Sequence, residues 1–217
     1  MVHISGVIAR AKYYGAWKFS ELVGIISGMG FHVDPETKLI NFNLLANINI
    51  LNIEFGENVK MITDNWNIYT AIWLRRYVYD RVEINSLKLT AAFFASAFWH
   101  GFYRIFILIL AGYYMSFLCC VPLNQLARSC RTYFRPLFIK EGPFHRFKIF
   151  YDMMGTFLSI FLLDYFFLPF VIHSWEGSIK AWKSFNFAGN YLVLGSLFLL
   201  KYAGVGHFFK RFIKKKQ

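Results

Sequence analysis

Apolar and polar positions alternate along this chain in long blocks rather than residue by residue, and the blocks set the elements. From Leu87 to Val121 the chain runs 35 residues with Arg104 as its only formal charge beyond Lys88. A bilayer crossing takes about 20 residues. The stretch therefore predicts either one steeply tilted helix reaching beyond the bilayer, or two helices bent near Trp99-His100-Gly101. Phe150 to Ile172 is the cleanest spanning pattern, with Asp152 near one end, Asp164 inside it and Pro169 where a helix can stop. Asn190 to Val205 predicts a second, shorter span. Residues 1–14 are basic and aromatic. The run from Gly15 to Phe31 is apolar but broken by Lys18, Glu21 and four glycines, which predicts a shallow or re-entrant helix.

The polar blocks fall between these. Residues 32–62 are Asn-rich and partly alternating, as in a loop lying outside the hydrocarbon. Trp66 to Val82 carries Trp66, Tyr69, Thr70, Trp73 and Tyr77 at three- to four-residue spacing, the stripe of an amphipathic helix with its aromatics at headgroup depth. Residues 124–148 form a basic connector. Residues 173–189 predict an interfacial loop anchored by Trp175 and Trp182. The whole pattern is that of an all-α, multi-span helical membrane protein, with residues 1–217 as a single membrane domain.

Composition agrees. The chain is 57% hydrophobic and 21% aromatic but only 17% charged, where soluble domains carry about 25% charge. The net charge of +12 would suit nucleic acid, yet the basic residues flank apolar runs instead of forming one polar face. That distribution points to membrane lipids and excludes a nucleic-acid partner. Two spans separate the basic connector from the basic tail, so both fall on one side, the cytosolic one by the positive-inside rule. Lys214 and Lys215 stand four and three positions from the end, like the dilysine retrieval signal of endoplasmic reticulum membrane proteins. Cys119, Cys120 and Cys130 form no C-x-x-C pair and read as small apolar residues.

Two polar residues stand out against this background, Asn67 and His100. On a continuous helix Ser96, His100 and Arg104 share one face, and three polar groups on an apolar segment turn toward protein or water, not lipid. Asp164 needs a partner for the same reason, and a structural ion pair with a basic neighbour is the simpler expectation. For His100 the bland alternative is a core histidine bonded to a backbone carbonyl; for Asn67 it is a helix N-terminal cap. The remaining histidines are scattered, and no H-x-x-x-H pattern, P-loop, G-x-S-x-G elbow or G-x-G-x-x-G turn suggests metal, nucleotide or serine chemistry.

The motifs WN-x-x-T-x-x-WLR-x-YVY, YDRV and SAFWHGFY resemble those of the membrane-bound O-acyltransferase family, most closely its lysophospholipid acyltransferase branch. AKYYGAWKFSELVGIISGMGF, RTYFRPLF and FFLPFVIHSWEGSIKAWKSFNFAGNYL are similar to further segments of that branch. The resemblance implies an enzyme moving a fatty acyl group from acyl-CoA, as co-substrate and with no cofactor or metal, to a lysophospholipid hydroxyl. It implies His100 as the base for that hydroxyl and Asn67, 33 positions earlier, as the group that positions or polarises the reacting atoms. Trp66, Ser96, Trp99 and Arg104 are then the expected substrate contacts. Acyl transfer to an alcohol needs a base within reach of the hydroxyl and a donor for the developing oxyanion. The sequence departs from the branch after WHGFY, where Arg104-Ile105-Phe106-Ile107 replaces Pro-Gly-Tyr-Tyr. It also corresponds only to the C-terminal half of the family fold, which implies a truncated form. A sterol, diacylglycerol or protein acceptor, or a catalytically inactive membrane protein, are the alternatives.

Overall fold

The computed structural model describes residues 2–99, 121–139, 142–172 and 174–208, and these are mostly helical. Helix α1 runs unbroken over Val2–Ile26, so the basic start and the glycine-containing apolar run are one element, longer than the helix that the pattern predicts from Gly15. The charges that interrupt its pattern are satisfied within the protein. Lys18 Nζ lies 2.7 Å from Glu21 Oε2 on the same helix, and Arg10 reaches carboxylates on two others. Paired charges interrupt a hydropathy pattern without breaking a helix.

The Asn-rich stretch is more ordered than a loop. Strands β1 (His32–Val33) and β2 (Ile40–Asn41) pair antiparallel, and Asp34 Oδ1 closes the turn by accepting from Glu36 N at 2.9 Å and Thr37 N at 2.7 Å. Those bonds hold the Asp34 carboxyl below its usual range. Helices α2 (Ile50–Glu54) and α3 (Val59–Asp64) follow. Asn49 and Asn58 cap them, each accepting a backbone N–H at 3.1 Å. Ile48, Ile53 and Ile62 are buried against Tyr14, Trp17 and Trp66. The apparent alternation of Asn and Ile thus serves helix ends and a core, not a strand.

Helix α4 (Ile68–Tyr77) and α5 (Lys88–Trp99) are joined through a 3-10 turn at Tyr79–Arg81. Tyr69, Trp73 and Tyr77 stay exposed on α4, as the aromatic stripe predicts, while Trp66 precedes the helix and packs inward. The bend expected near Trp99-His100-Gly101 lies outside the described residues.

The basic connector is helical: α6 (Val121–Tyr133), α7 (Arg135–Phe138) and a 3-10 turn at His145–Phe147. Leu123 and Leu126 are buried while Gln125 and Arg128 face out. Cys130 packs against the same core, and burial pushes its thiol up.

Helix α8 spans Lys148–Phe166 and is followed by the short α9 (Leu168–Ile172). The break falls at Phe167, so Pro169 opens the next helix instead of ending the span. Proline has no N–H to give the carbonyl four residues back, here that of Tyr165. The Trp182 indole Nε1 donates to that carbonyl at 3.0 Å. Trp182 is fully buried and belongs to a helix, α10 (Trp175–Ser184), which corrects its assignment as an interfacial anchor in a loop. Helix α11 (Ala188–Lys201) completes the main core, where Tyr165, Phe166, Trp182, Val193 and Leu197 meet Leu123 and Leu126.

His145–Phe166, 22 residues long, extends about 33 Å at 1.5 Å per residue, enough to cross the hydrocarbon. Among the described residues it is the one helix of that length and apolarity. Helix α11, with 14 residues, reaches about 21 Å and is short for the second span that the sequence predicts.

Candidate functional site

A largely apolar cavity of about 480 Å³ opens between α1, the α2–α3 segment and α8. Ile53, Ile62, Leu163 and Val171 line it, and Trp66 forms part of its wall. Trp66 is fixed by three aromatic neighbours from α1: Tyr13, Tyr14 and Trp17, with ring centroids 5.7, 6.0 and 5.0 Å away. Edge-to-face contacts of this kind hold an indole in one orientation. The K-Y-Y-x-x-W spacing of α1 supplies all three, because positions 13, 14 and 17 share one face of a helix.

One end of the cavity is ionic. Arg10 donates from Nε to Glu54 Oε1 at 2.8 Å and also hydrogen-bonds the Asp164 carboxylate. Tyr14 Oη donates to Glu54 Oε1 at 2.6 Å, and His3 Nδ1 meets Asp164 Oδ2 at 2.7 Å. Gly6 permits this approach of α1 to α8, since a Cβ there would run into the Asp164 carboxylate. Burial alone would push the Glu54 carboxyl up; the bonds from Arg10 and Tyr14 more than offset it and hold the group below its usual value. Burial, then the bond to Glu54, push the Tyr14 phenol up. Asp164, within the apolar helix α8, thus has the basic neighbour that its place in the sequence predicts.

Asn67 stands at the N-terminal end of α4 with left-handed backbone angles, φ 49° and ψ 52°. It occupies the cap position, yet its side chain makes no capping bond. Asn47 caps the helix instead, its Oδ1 accepting from Tyr69 N at 2.8 Å and its backbone carbonyl from Ile68 N at 2.9 Å. Asn47 Nδ2 in turn donates to Asn67 Oδ1 at 3.2 Å. Sequence reasoning missed Asn47. The one available signal was the density of asparagines in residues 41–67 of an otherwise apolar chain.

Ser96 lines a second cavity, about 440 Å³, between α4 and α5, together with Ala71, Leu74, Arg75 and Phe93. Trp66 and Asn67 are adjacent in the chain, but Trp66 and Ser96 line different cavities. His100, Arg104 and the Trp99 side chain lie outside what is described.

The profile of MBOAT, the membrane-bound O-acyltransferase family, matches residues 1–163, which include Trp66, Asn67, Ser96, Trp99, His100 and Arg104. Membrane-bound glycerophospholipid O-acyltransferase 2 of Homo sapiens is 35% identical over 199 residues, covering 92% of this chain and 36% of that protein. Lysophospholipid acyltransferase of Schizosaccharomyces pombe is 32% identical over 206 residues, covering 90% of this chain and 38% of the relative. The protein of the same name from Saccharomyces cerevisiae is 33% identical over 205 residues, 90% and 32% of the two chains. The chain spans roughly a third of the length of these curated relatives. Three-quarters of the sequence falls under the family profile, and on that match this chain belongs to the membrane-bound O-acyltransferase family.

Proposed function

We propose that this chain carries the reaction centre of an acyl-CoA-dependent lysophospholipid O-acyltransferase. One observation carries the reading: the stretch shared with the family and with relatives named as lysophospholipid acyltransferases contains both Asn67 and His100. His100 takes the proton from the lysophospholipid hydroxyl as its oxygen bonds to the thioester carbonyl carbon. The C–S bond then breaks, and coenzyme A leaves with a proton as the free thiol. Asn67 donates to the oxyanion that develops on that carbonyl, an interaction worth about 3 kcal/mol of barrier in comparable sites. The chemistry calls for no metal and no cofactor. Trp66, Ser96, Trp99 and Arg104 contact substrate; the position of Trp66 on the wall of an apolar hollow supports its share of that role. Exclusion of water by such a hollow protects a thioester from hydrolysis.

The protein is a multi-span protein of the endoplasmic reticulum membrane with a cytosolic C-terminus, its 217 residues forming a single membrane domain. A related acceptor, such as a sterol, diacylglycerol or protein hydroxyl, is the second reading. It is favoured by Arg104-Ile105-Phe106-Ile107, which stands where the branch has Pro-Gly-Tyr-Tyr.

Microsomes containing the chain, given labelled oleoyl-CoA and a panel of lysophospholipids, are expected to form labelled phospholipid. His100→Ala should lower that rate by about 100-fold or more, the range for loss of a general base. Equal incorporation by wild type and His100→Ala would remove the catalytic assignment.

A further inference from the structure

A carboxamide presents either its NH2 group or its carbonyl, and only the NH2 group can stabilise an oxyanion. The direction in which Asn67 faces is therefore decisive, and it is settled by a chain of hydrogen bonds that starts at the backbone. The Tyr69 N–H can only donate, so the Asn47 atom 2.8 Å from it must be Oδ1. That leaves Asn47 Nδ2 toward Asn67, and since an amide NH2 only donates, its lone pair being delocalised into the carbonyl, the Asn67 atom 3.2 Å away is Oδ1. The Asn67 Nδ2 group is thereby turned away from Asn47. Among the described residues nothing accepts a hydrogen bond from it. Asn47 is itself anchored twice to the first turn of α4, through its side chain and through its carbonyl to Ile68 N at 2.9 Å. By capping the helix it also relieves Asn67 of that task, although Asn67 holds the cap position.

We propose that Asn47 is a positioning residue: it fixes the Asn67 carboxamide with its amine toward the acyl carbonyl. The proposal rests on the reading of Asn67 as the oxyanion donor. Asn47→Asp separates this role from helix capping. The carboxylate retains the acceptor for Tyr69 N and suits a helix N-terminus, but it has no proton to give Asn67 Oδ1. The Asn67 amide then turns over to donate to the carboxylate and withdraws its amine from the site.

The test is steady-state kinetics in microsomes with labelled oleoyl-CoA, for Asn47→Asp, Asn67→Ala and the double variant. Asn47→Asp is expected to lower kcat by about 100-fold or more, the cost of losing an oxyanion donor, while leaving KM for acyl-CoA and the thermal midpoint unchanged. Because Asn47 acts through Asn67, the double variant should be no slower than Asn67→Ala alone. Wild-type kcat in Asn47→Asp beside a damaged Asn67→Ala overturns the inference and leaves the acyltransferase reading intact. If wild type is no faster than His100→Ala, that reading fails instead, and the orientation is decided by a second measurement. In protein labelled with ¹⁵N-asparagine, the Asn67 side-chain amide pair, assigned by its loss in Asn67→Ala, should move downfield and gain exchange protection in Asn47→Asp. An unmoved pair overturns the inference whether or not the chain turns over substrate.

Discussion

Arg10 serves two carboxylates from different helices, Glu54 on α2 and Asp164 on α8, with side-chain exposures of 13%, 29% and 6%. Its removal leaves two acids near one another in a poorly hydrated place, so Arg10→Ala should cost about 3–5 kcal/mol, the range for breaking a buried pair. Asp164→Asn should cost less, because Arg10 keeps Glu54. Thermal unfolding of both variants in detergent checks the order. The pH dependence has a definite sign. Glu54 lies below its ordinary value of 4.5 in the folded protein, so its contribution is fully present above that pH and is lost as pH falls through the lower folded value. Glu54→Gln should flatten that part of the stability profile. Asp164 announces from the sequence that it requires a partner, since an ionised group inside an apolar helix is costly alone. Its partner sits 154 residues away and could not be read without the fold. The same holds for Asn47: Asn67 is legible beside Trp66, but the side chain that orients it is 20 positions upstream on another segment.

Proline and tryptophan cooperate at the junction of α8 and α9. With no N–H at Pro169, the Tyr165 carbonyl takes its bond from the buried Trp182 indole at 3.0 Å, tying α10 to the end of α8. Trp182→Phe deletes that bond but keeps most of the ring and should cost about 1–2 kcal/mol. Trp182→Ala also leaves a cavity and should cost about 3–5 kcal/mol. Adding Pro169→Ala to Trp182→Phe should recover part of the loss, because position 169 then offers an N–H to the same carbonyl. Thermal midpoints of the four proteins test this; absence of any recovery would disconnect the proline from the indole. The stripe of α4 was legible from its periodicity and α8 from its long apolar run. The elements misjudged were those whose polar residues act locally. Paired charges in α1 read as signs of a shallow or re-entrant helix, and the capping asparagines at α2 and α3 and the buried Trp182 of α10 as signs of loops, because hydropathy records a side chain's polarity but not its partner.

Across the whole molecule, large apolar side chains cover the outside of the helices, among them Ile8, Phe19 and Ile26 on α1, Phe150, Met153 and Phe157 on α8, and Tyr191 and Phe198 on α11. Such surfaces suit a protein of a membrane-bound family. How α11 is seated decides where the segment after it lies. Its first turn lies against the end of α8, where a Cβ at Gly189 would meet the Tyr165 ring at 2.5 Å. Its far end returns to the basic helix α6: Lys201 Nζ donates to Gln125 Oε1 at 3.0 Å, and Gly206 lies against the Tyr133 ring. Helix α11 therefore runs back along the direction that α8 came from, although its 14 residues reach only about 21 Å. The segment after Lys201 consequently packs beside the connector, and the charge distribution predicts one membrane side for both. In a background without the native cysteines, Arg128→Cys and Ala203→Cys should react together with a membrane-impermeant maleimide on sealed microsomes. Lys180→Cys, on α10 beyond the far end of α8, should react only after the membrane is permeabilised. If Ala203→Cys instead follows Lys180→Cys, α11 does not return across the bilayer, and its apolar outer face must be covered by something other than lipid.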